Sequence, residues 1–274
     1  MKTQLFALTF TLLFSPFLYG QSNSDLVQQT RDCADRGDFV CAESTLLLLI
    51  QKETDKELVA GYYSSLGTYQ RRQGKINEAF KSYNQAIEIN PLGVDTYTNR
   101  AMLYSQIGKN EETLKDFASA LEIKPADETA LLNRAMIYER LGKRDLAIND
   151  LSIIIKNNPK NYLARSNIAN IKHRLGKLEE ALQDFDNLIT EQPGIAILHN
   201  NRADLLNDLK RYDEALKDVE TSIVLDNKYP IALITKAKIL LNIGKNDDAC
   251  REIHKAIQLG LRPEKVEGMM KNCE

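Results

Sequence analysis

The sequence predicts an all-α protein, a solenoid of helical hairpins, and three observations predict it. Glycine recurs at Gly74, Gly108, Gly142, Gly176 and Gly244, at spacings of 34, 34, 34 and 68 residues, with Lys210 in the skipped place. Five residues after each of these six positions stands a small side chain: Ala79, Thr113, Ala147, Ala181, Ala215 and Ala249. Proline keeps the same period at Pro91, Pro125, Pro159 and Pro193. Three residue types on one 34-residue clock describe a unit that buries its apolar face only by stacking on its neighbours.

Each type has a physical task. The glycine permits a tight, left-handed turn between two helices. The small residue lets two helices approach closely. The proline cannot continue a helix, so it closes the second helix of the unit. Between the markers the apolar spacing is helical: Tyr97, Ala101 and Tyr104 fall at i, i+4 and i+7, and Leu114, Phe117, Ala120 and Leu121 follow the same rule.

On these residues the chain resembles the tetratricopeptide repeat (TPR) family, whose unit carries Leu-Gly, aromatic, Gly, Ala and Pro markers at fixed offsets. Residues 60–93 supply Tyr63, Leu66, Gly67, Gly74, Ala79, Tyr83, Ala86 and Pro91; residues 94–127 supply Tyr97, Ala101, Tyr104, Gly108, Phe117, Ala120 and Pro125. The resemblance implies a right-handed α-α superhelix. It is specific for fold and says little about function.

Taken in order, residues 1–20 read as an export signal. Lys2 supplies one positive charge, LFALTFTLLFSPFLYG an apolar run, and Leu18 and Gly20 a cleavage site ahead of Gln21. The run is short for a membrane span, which needs ~20 apolar residues, so no membrane anchor is expected after cleavage. Residues 21–59 form a degenerate first repeat, with Gly37, Phe39 and Ala42 at its turn. Six tandem units fill 60–263, the last two with Asn227 and Leu261 in place of the closing proline. Residues 264–274 are expected to form a capping helix, with Val266, Met269 and Met270 as its apolar stripe. The repeat frame also bears on the four cysteines. Cys33 ends one helix and Cys41 begins the next, and a returning terminal helix brings Cys273 towards Cys250. Two local disulfides are therefore expected, each contributing ~2–3 kcal/mol, with four free thiols as the alternative. Export and disulfides together point to the periplasm or to full secretion.

Candidate chemistry is sparse. The formal charge of −2 leaves no basic footprint for nucleic acid. The Gly-Lys pairs at 74–75, 108–109, 142–143, 176–177 and 244–245 lack the following Ser or Thr of a phosphate loop and the strand before it. His173, His199 and His254 form no zinc-binding pattern, and no nucleophile elbow is present. Glu111-Glu112 and Glu179-Glu180 stand where second helices begin and complement the helix dipole. No catalytic residue, metal or cofactor is expected.

Binding is the remaining expectation. The resemblance implies that the first helix of each unit lines an inner groove. The groove positions give a row of asparagines at Asn99, Asn133, Asn167 and Asn201, whose amides offer donors and acceptors to an extended peptide. The alternative for that row is a structural one, hydrogen bonding between repeats. Met102 and Met136 add an adaptable apolar patch, and Arg140, Asn170, His173 and Arg174 a polar stretch. Related proteins clamp acidic C-terminal tails with a lysine at the fifth position, which here holds Ser64, Thr98, Leu132, Ser166, Asn200 and Ile234, so that clamp is not expected. Arg100, Arg134 and Arg202 are expected to pair with Asp116, Asp150 and Asp218, and Lys236 with Glu252, within a unit or across to its neighbour. The expected function is a non-catalytic exported scaffold that holds a protein or peptide partner. A structural assembly factor acting by self-association or through its convex face is the alternative.

Overall fold

The structure, a computed structural model, describes residues 22–271 and Cys273. The expected export signal lies outside the described residues. Two compact units divide at Ala130 and Leu131. The first holds hairpins α1 (Asn23–Asp35) with α2 (Phe39–Lys52), α3 (Lys56–Arg72) with α4 (Ile76–Ile89), and α5 (Val94–Gln106) with α6 (Asn110–Ile123). Within it each helix packs on the next, and α3 also touches α5. Helix α7 (Glu128–Arg140) leads into the second unit. There α8 (Arg144–Asn157) precedes the pairs α9 (Tyr162–Arg174) with α10 (Leu178–Glu191), α11 (Ala196–Asp208) with α12 (Tyr212–Leu225), and α13 (Pro230–Asn242) with α14 (Asn246–Gln258). Again each helix from α8 to α14 packs on the next, while α9 touches α11 and α11 touches α13. First helices therefore lie side by side within each unit.

The turns explain the glycine clock. At the end of α5, Lys109 N–H donates to Tyr104 O at 2.9 Å and Gly108 N–H to Ser105 O at 3.2 Å. This double closure needs a left-handed residue, and Gly108 sits at φ 78°. Lys210 adopts the same conformation at φ 61° without being glycine, and its turn closes in the same way, Arg211 N–H to Leu206 O at 2.9 Å. The Gly-Lys pairs are thus helix ends.

Every small residue of the second marker row is sealed from solvent, Thr113 included. Thr113 satisfies its hydroxyl by donating to Lys109 O at 2.7 Å. Opposite this row, first helices carry Ala101, Ala169, Ala203 and Ala237, all fully buried. The equivalent position in α3 is Gly67, and a Cβ there would lie 2.7 Å from the Tyr83 ring. The bulkier ring demands the smaller partner. Tyr83 is itself fully buried, its hydroxyl 3.1 Å from Thr68 Oγ1, and burial raises its pKa.

Arginine one residue after the asparagine row ties the helices together. Arg100 donates two bonds to Asp116 at 2.8 Å and a third to Asn84 at 2.6 Å. Arg134 binds Asp150 in the same bidentate way. Arg202 spans both neighbours, with Asp218 at 2.6 and 2.7 Å and Asp186 at 2.7 Å. The hydrogen bonds that Arg202 donates to Asp218 hold its pKa above the ordinary value against the opposing effect of burial. The expected Lys236–Glu252 pair does not form. Lys236 reaches back to Glu220 at 3.1 Å instead, while Lys255 takes Glu252 at 3.1 Å. The shorter lysine follows only the backward branch that Arg202 follows with its second nitrogen.

Both ends are closed covalently. Cys33 is bonded to Cys41 and Cys250 to Cys273. The terminal segment departs from a single helix over 264–274: a 3₁₀ turn at Pro263–Lys265 is followed by one short helix, α15 (Glu267–Met270). Gly268 gives this stretch poor helix propensity, and Pro263 fixes the entry conformation. The apolar stripe still covers the core, with Val266 buried and Met269 and Met270 packed on the cluster that includes Ile253 and Ala256.

Candidate functional site: two clefts on the first helices

Positions 5, 6, 9, 12 and 13 of a unit share one face of its first helix, because they differ by steps of one, three and four. That face lines a cleft in each unit. In the first unit the cleft measures about 610 Å³. Helix α3 contributes Gly61, Ser64 and Ser65, α5 contributes Asp95, Thr98 and Asn99, and Lys124 with Asp127 closes one side. Small residues on α3 leave the space open. Asp127 accepts Lys124 at 2.9 Å and Ala130 N–H at 3.0 Å. Burial pushes its pKa up, but these bonds outweigh it and hold the carboxyl below its ordinary value.

In the second unit a cleft of about 590 Å³ runs along α9, α11 and α13. It brings together Asn170, His173 and Arg174 with Asn200, Asn201, Asp204 and Asp208, and faces them with Tyr229, Ile231, Thr235 and Lys238. Polar ties cross between neighbouring first helices. His173 Nε2 meets Asp208 Oδ2 at 2.8 Å, Asn242 donates to Asn207 at 2.9 Å, and Arg174 pairs with Glu139. Each of these joins the twelfth position of one unit to the thirteenth of the next, 35 residues on. Lys238 binds Asp204 at 3.3 Å, 34 residues apart.

The expected site residues separate into groups. Asn170, His173, Arg174 and Asn201 share the second cleft, and Asn99 lines the first. Asn167 turns back on its own helix, donating to Leu163 O at 2.9 Å. Met102 is half-buried, Met136 is more than half exposed, and Arg140 is exposed. Asn133 is half-buried and engaged in interactions of its own. Sequence reasoning left out Thr98, Asn200, Tyr229, Ile231 and Lys238. The 34-residue frame was the available signal for four of them, since Thr98 and Asn200 stand at the fifth position of their repeats, Ile231 at the second and Lys238 at the ninth.

The other polar groups are structural. His199 lies against Pro193 O at 2.9 Å and Asp218 at 3.5 Å, and His254 Nδ1 donates to Cys250 O at 2.8 Å. Lys109 and Lys177 pair with Glu112 and Glu180 in the first turn of the second helices, each at 3.5 Å. Among the described residues no group of three His, Cys, Asp or Glu side chains is placed to hold a metal ion.

Family models described as TPR or tetratricopeptide repeat match residues 70–108, 94–127, 132–194 and 167–230. A crystal structure of a tetratricopeptide repeat protein from Parabacteroides merdae is 31% identical, covers 92% of this chain and 99% of its own, and superposes with a TM-score of 0.77. The chain is a tetratricopeptide repeat protein. Yeast Tom70 shares the TPR fold at 18% identity and a TM-score of 0.69, over 97% of this chain and 61% of its own. The Cut9–Hcn1 hetero-tetramer does so at 16% identity and 0.64, over 91% and 46%. A search of curated proteins finds no match. TPR proteins are in general non-catalytic interaction scaffolds, and this chain has that architecture. Its two disulfides fit an oxidising compartment. Among the described residues no helix is long and apolar enough to cross a membrane.

Proposed function

We propose that this TPR protein is an exported, non-catalytic scaffold that holds a peptide segment, or one face of a partner protein, against its first helices. The observation that carries the reading is the second-unit cleft. It gathers four of the expected groove residues beside half-exposed Ile231, and polar ties between α9, α11 and α13 fix its walls before any partner arrives. Preorganised walls reduce the ordering cost of binding. Export rests on the charge and apolar run of residues 1–20 and on the two disulfides.

The cysteines act at the ends of the array and the asparagine row within it. A crosslinking pull-down compares the wild-type chain with one in which Asn99, Asn133, Asn167 and Asn201 are all changed to Ala. Loss of the captured partner with an unchanged melting temperature is the expected result; undiminished capture sinks the groove reading. Because Asn167 is satisfied by its own backbone, reverting that single position to Asn should restore the least capture.

A further inference from the structure

We propose that Cys250–Cys273 is a reversible thiol–disulfide exchange site, at which a dithiol reductant releases the cap over the end of the array while Cys33–Cys41 stays closed. The two bonds differ in what else holds their sulfurs together. In the first hairpin the fold does so unaided. Leu26 of α1 is buried with Leu46 and Leu49 of α2, and Asn23 donates to Glu53 at 3.1 Å. The turn between the cysteines closes itself: Asp38 N–H donates to Cys33 O at 2.8 Å, and the Asp38 side chain accepts Cys41 N–H at 3.0 Å. Thiols held side by side in this way keep a high effective concentration and re-form their bond. The cap has no comparable hold. Helix α15 is four residues long, too short to be stable alone. Among the described residues of the cap, Arg262, Glu264, Lys265, Glu267 and Lys271 are exposed and make no ion pair or side-chain hydrogen bond. Its apolar contacts come from Leu261 and Val266, which are buried, and from Met269 and Met270, which are only partly so. The sulfurs at this end are 23 residues apart in the chain, against 8 in the first hairpin, so more chain freedom opposes their return.

Access favours the same bond. Cys33 is fully buried, whereas Cys41, Cys250 and Cys273 are half-buried. A reductant can therefore reach the first bond only at Cys41, and the group expelled is a Cys33 thiolate sealed from water, a poor leaving group. Arg36 Nη2, 3.7 Å from that sulfur, offsets part of the cost but opens no path to it. At the second bond either sulfur can be attacked, and the expelled thiolate meets solvent. One reductant thiolate bonds to the attacked sulfur, the S–S bond breaks, and the other cysteine leaves as a thiolate. The reductant's second thiolate then attacks its own partner sulfur in the mixed disulfide. That frees the remaining cysteine and closes the reductant's disulfide. The two protons given up by the reductant end on Cys250 and Cys273. With the bond gone the cap lifts and uncovers the cluster that holds Ile253 and Ala256.

The test titrates the full chain with dithiothreitol, alkylates the thiols that appear and locates them by mass spectrometry. Hydrogen–deuterium exchange follows the cap in parallel. Cys250 and Cys273 are expected to reach half alkylation at a reductant concentration roughly tenfold below that for Cys33 and Cys41. In step with them the cap amides should lose protection, among them Met269 and Met270, which donate to Val266 O at 2.9 and 3.0 Å. Helices α1 and α2 should keep theirs. Cys273→Ser should show the released cap without reductant and leave the rest of the array folded by circular dichroism. Opening of Cys33–Cys41 first, or at the same concentration, overturns the inference. So does a Cys250–Cys273 bond that resists the whole titration, or thiols alkylated before any reductant is added. A cap that stays protected after its bond opens overturns it as well, because the bond is then a passive staple. A Cys273→Ser chain that does not fold does the same, because the bond is then a requirement of the fold.

Discussion

At the fifth and sixth repeat positions the first unit carries Ser64 and Ser65, then Thr98 and Asn99; the second carries Leu132 and Asn133, Ser166 and Asn167, Asn200 and Asn201, then Ile234 and Thr235. Behind them the two units are nearly interchangeable. Ala79 and Thr113 in one and Ala147, Ala181, Ala215 and Ala249 in the other are all sealed from solvent. Packing therefore constrains one face of each first helix, and the opposite face is free to diverge. The second unit has used that freedom to tie neighbouring helices through His173–Asp208, Asp204–Lys238 and Asn207–Asn242, whereas the first leaves an open cleft floored by Gly61 and serines. What differs between the units is where binding is to be sought.

The largest expected effect separates the arginine ties. Arg202 satisfies two carboxylates, one of them the buried Asp218, while Arg100 satisfies one carboxylate and the neutral Asn84. Breaking a buried pair from one side strands the other charge. Arg202→Ala should cost about 3 kcal/mol and Arg100→Ala about 2 kcal/mol in urea denaturation, and the reverse order would contradict the comparison. The next effect concerns close approach. Gly67→Ala forces a methyl into the Tyr83 ring and should cost about 2 kcal/mol despite the better helix former. Ala203→Gly, the opposite exchange at the matching position of the second unit, should cost about 1 kcal/mol through helix propensity. Thermal melts of both variants check this, and Gly67→Ala combined with Tyr83→Leu should recover most of the first loss.

Smaller effects sharpen the picture. Lys210 holds a left-handed conformation that its five glycine counterparts adopt freely. Lys210→Gly should therefore be neutral to stabilising by about 0.5 kcal/mol, since relief of strain is partly offset by a more flexible unfolded chain. A clear destabilisation would show that the lysine side chain contributes something the turn does not explain. Smallest is an acid effect confined to the first unit. Burial alone raises the Glu43 pKa, but hydrogen bonds from Lys75, Gln70 and Gln73 bring it below its ordinary value of 4.5. A folded value below the unfolded one stabilises at higher pH, and that contribution is lost as pH falls below 4.5. Replacing Glu43 by Gln should flatten this part of the pH–stability curve by about 0.5 kcal/mol.

Much of the fold was legible because packing and turns repeat with the chain. The clock of Gly108, Thr113 and Pro125 sets a frame in which α5, α7, α9, α11 and α13 begin at 94, 128, 162, 196 and 230. Helix α3 starts four residues ahead of its frame, because Asp55 caps it by accepting Glu57 N–H at 2.8 Å. A local side-chain bond overrode the period there. The terminal segment was legible as an apolar stripe and not as one continuous helix, since the Pro263–Lys265 turn ends before Val266 and, among its described residues, only Glu267–Met270 is α-helical. The clefts were half legible. Asn99, Asn170, His173 and Asn201 follow from helix geometry alone. Lys238 and Ile231 stand at positions of the same frame, but their part in the cleft depends on what the neighbouring helix places opposite them, as Asp204 stands opposite Lys238.

The central claim is that ligands meet the first helices and not the second. A photo-crosslinking amino acid placed at Lys238, on the rim of the second cleft, is compared with one at Val224, which is 84% exposed on α12. A pool of random heptapeptides, acetylated and amidated, serves as probe and the adducts are located by mass spectrometry. Crosslinks from position 238 and none above background from 224 are the predicted result. Crosslinks from 224 with none from 238 would contradict the account.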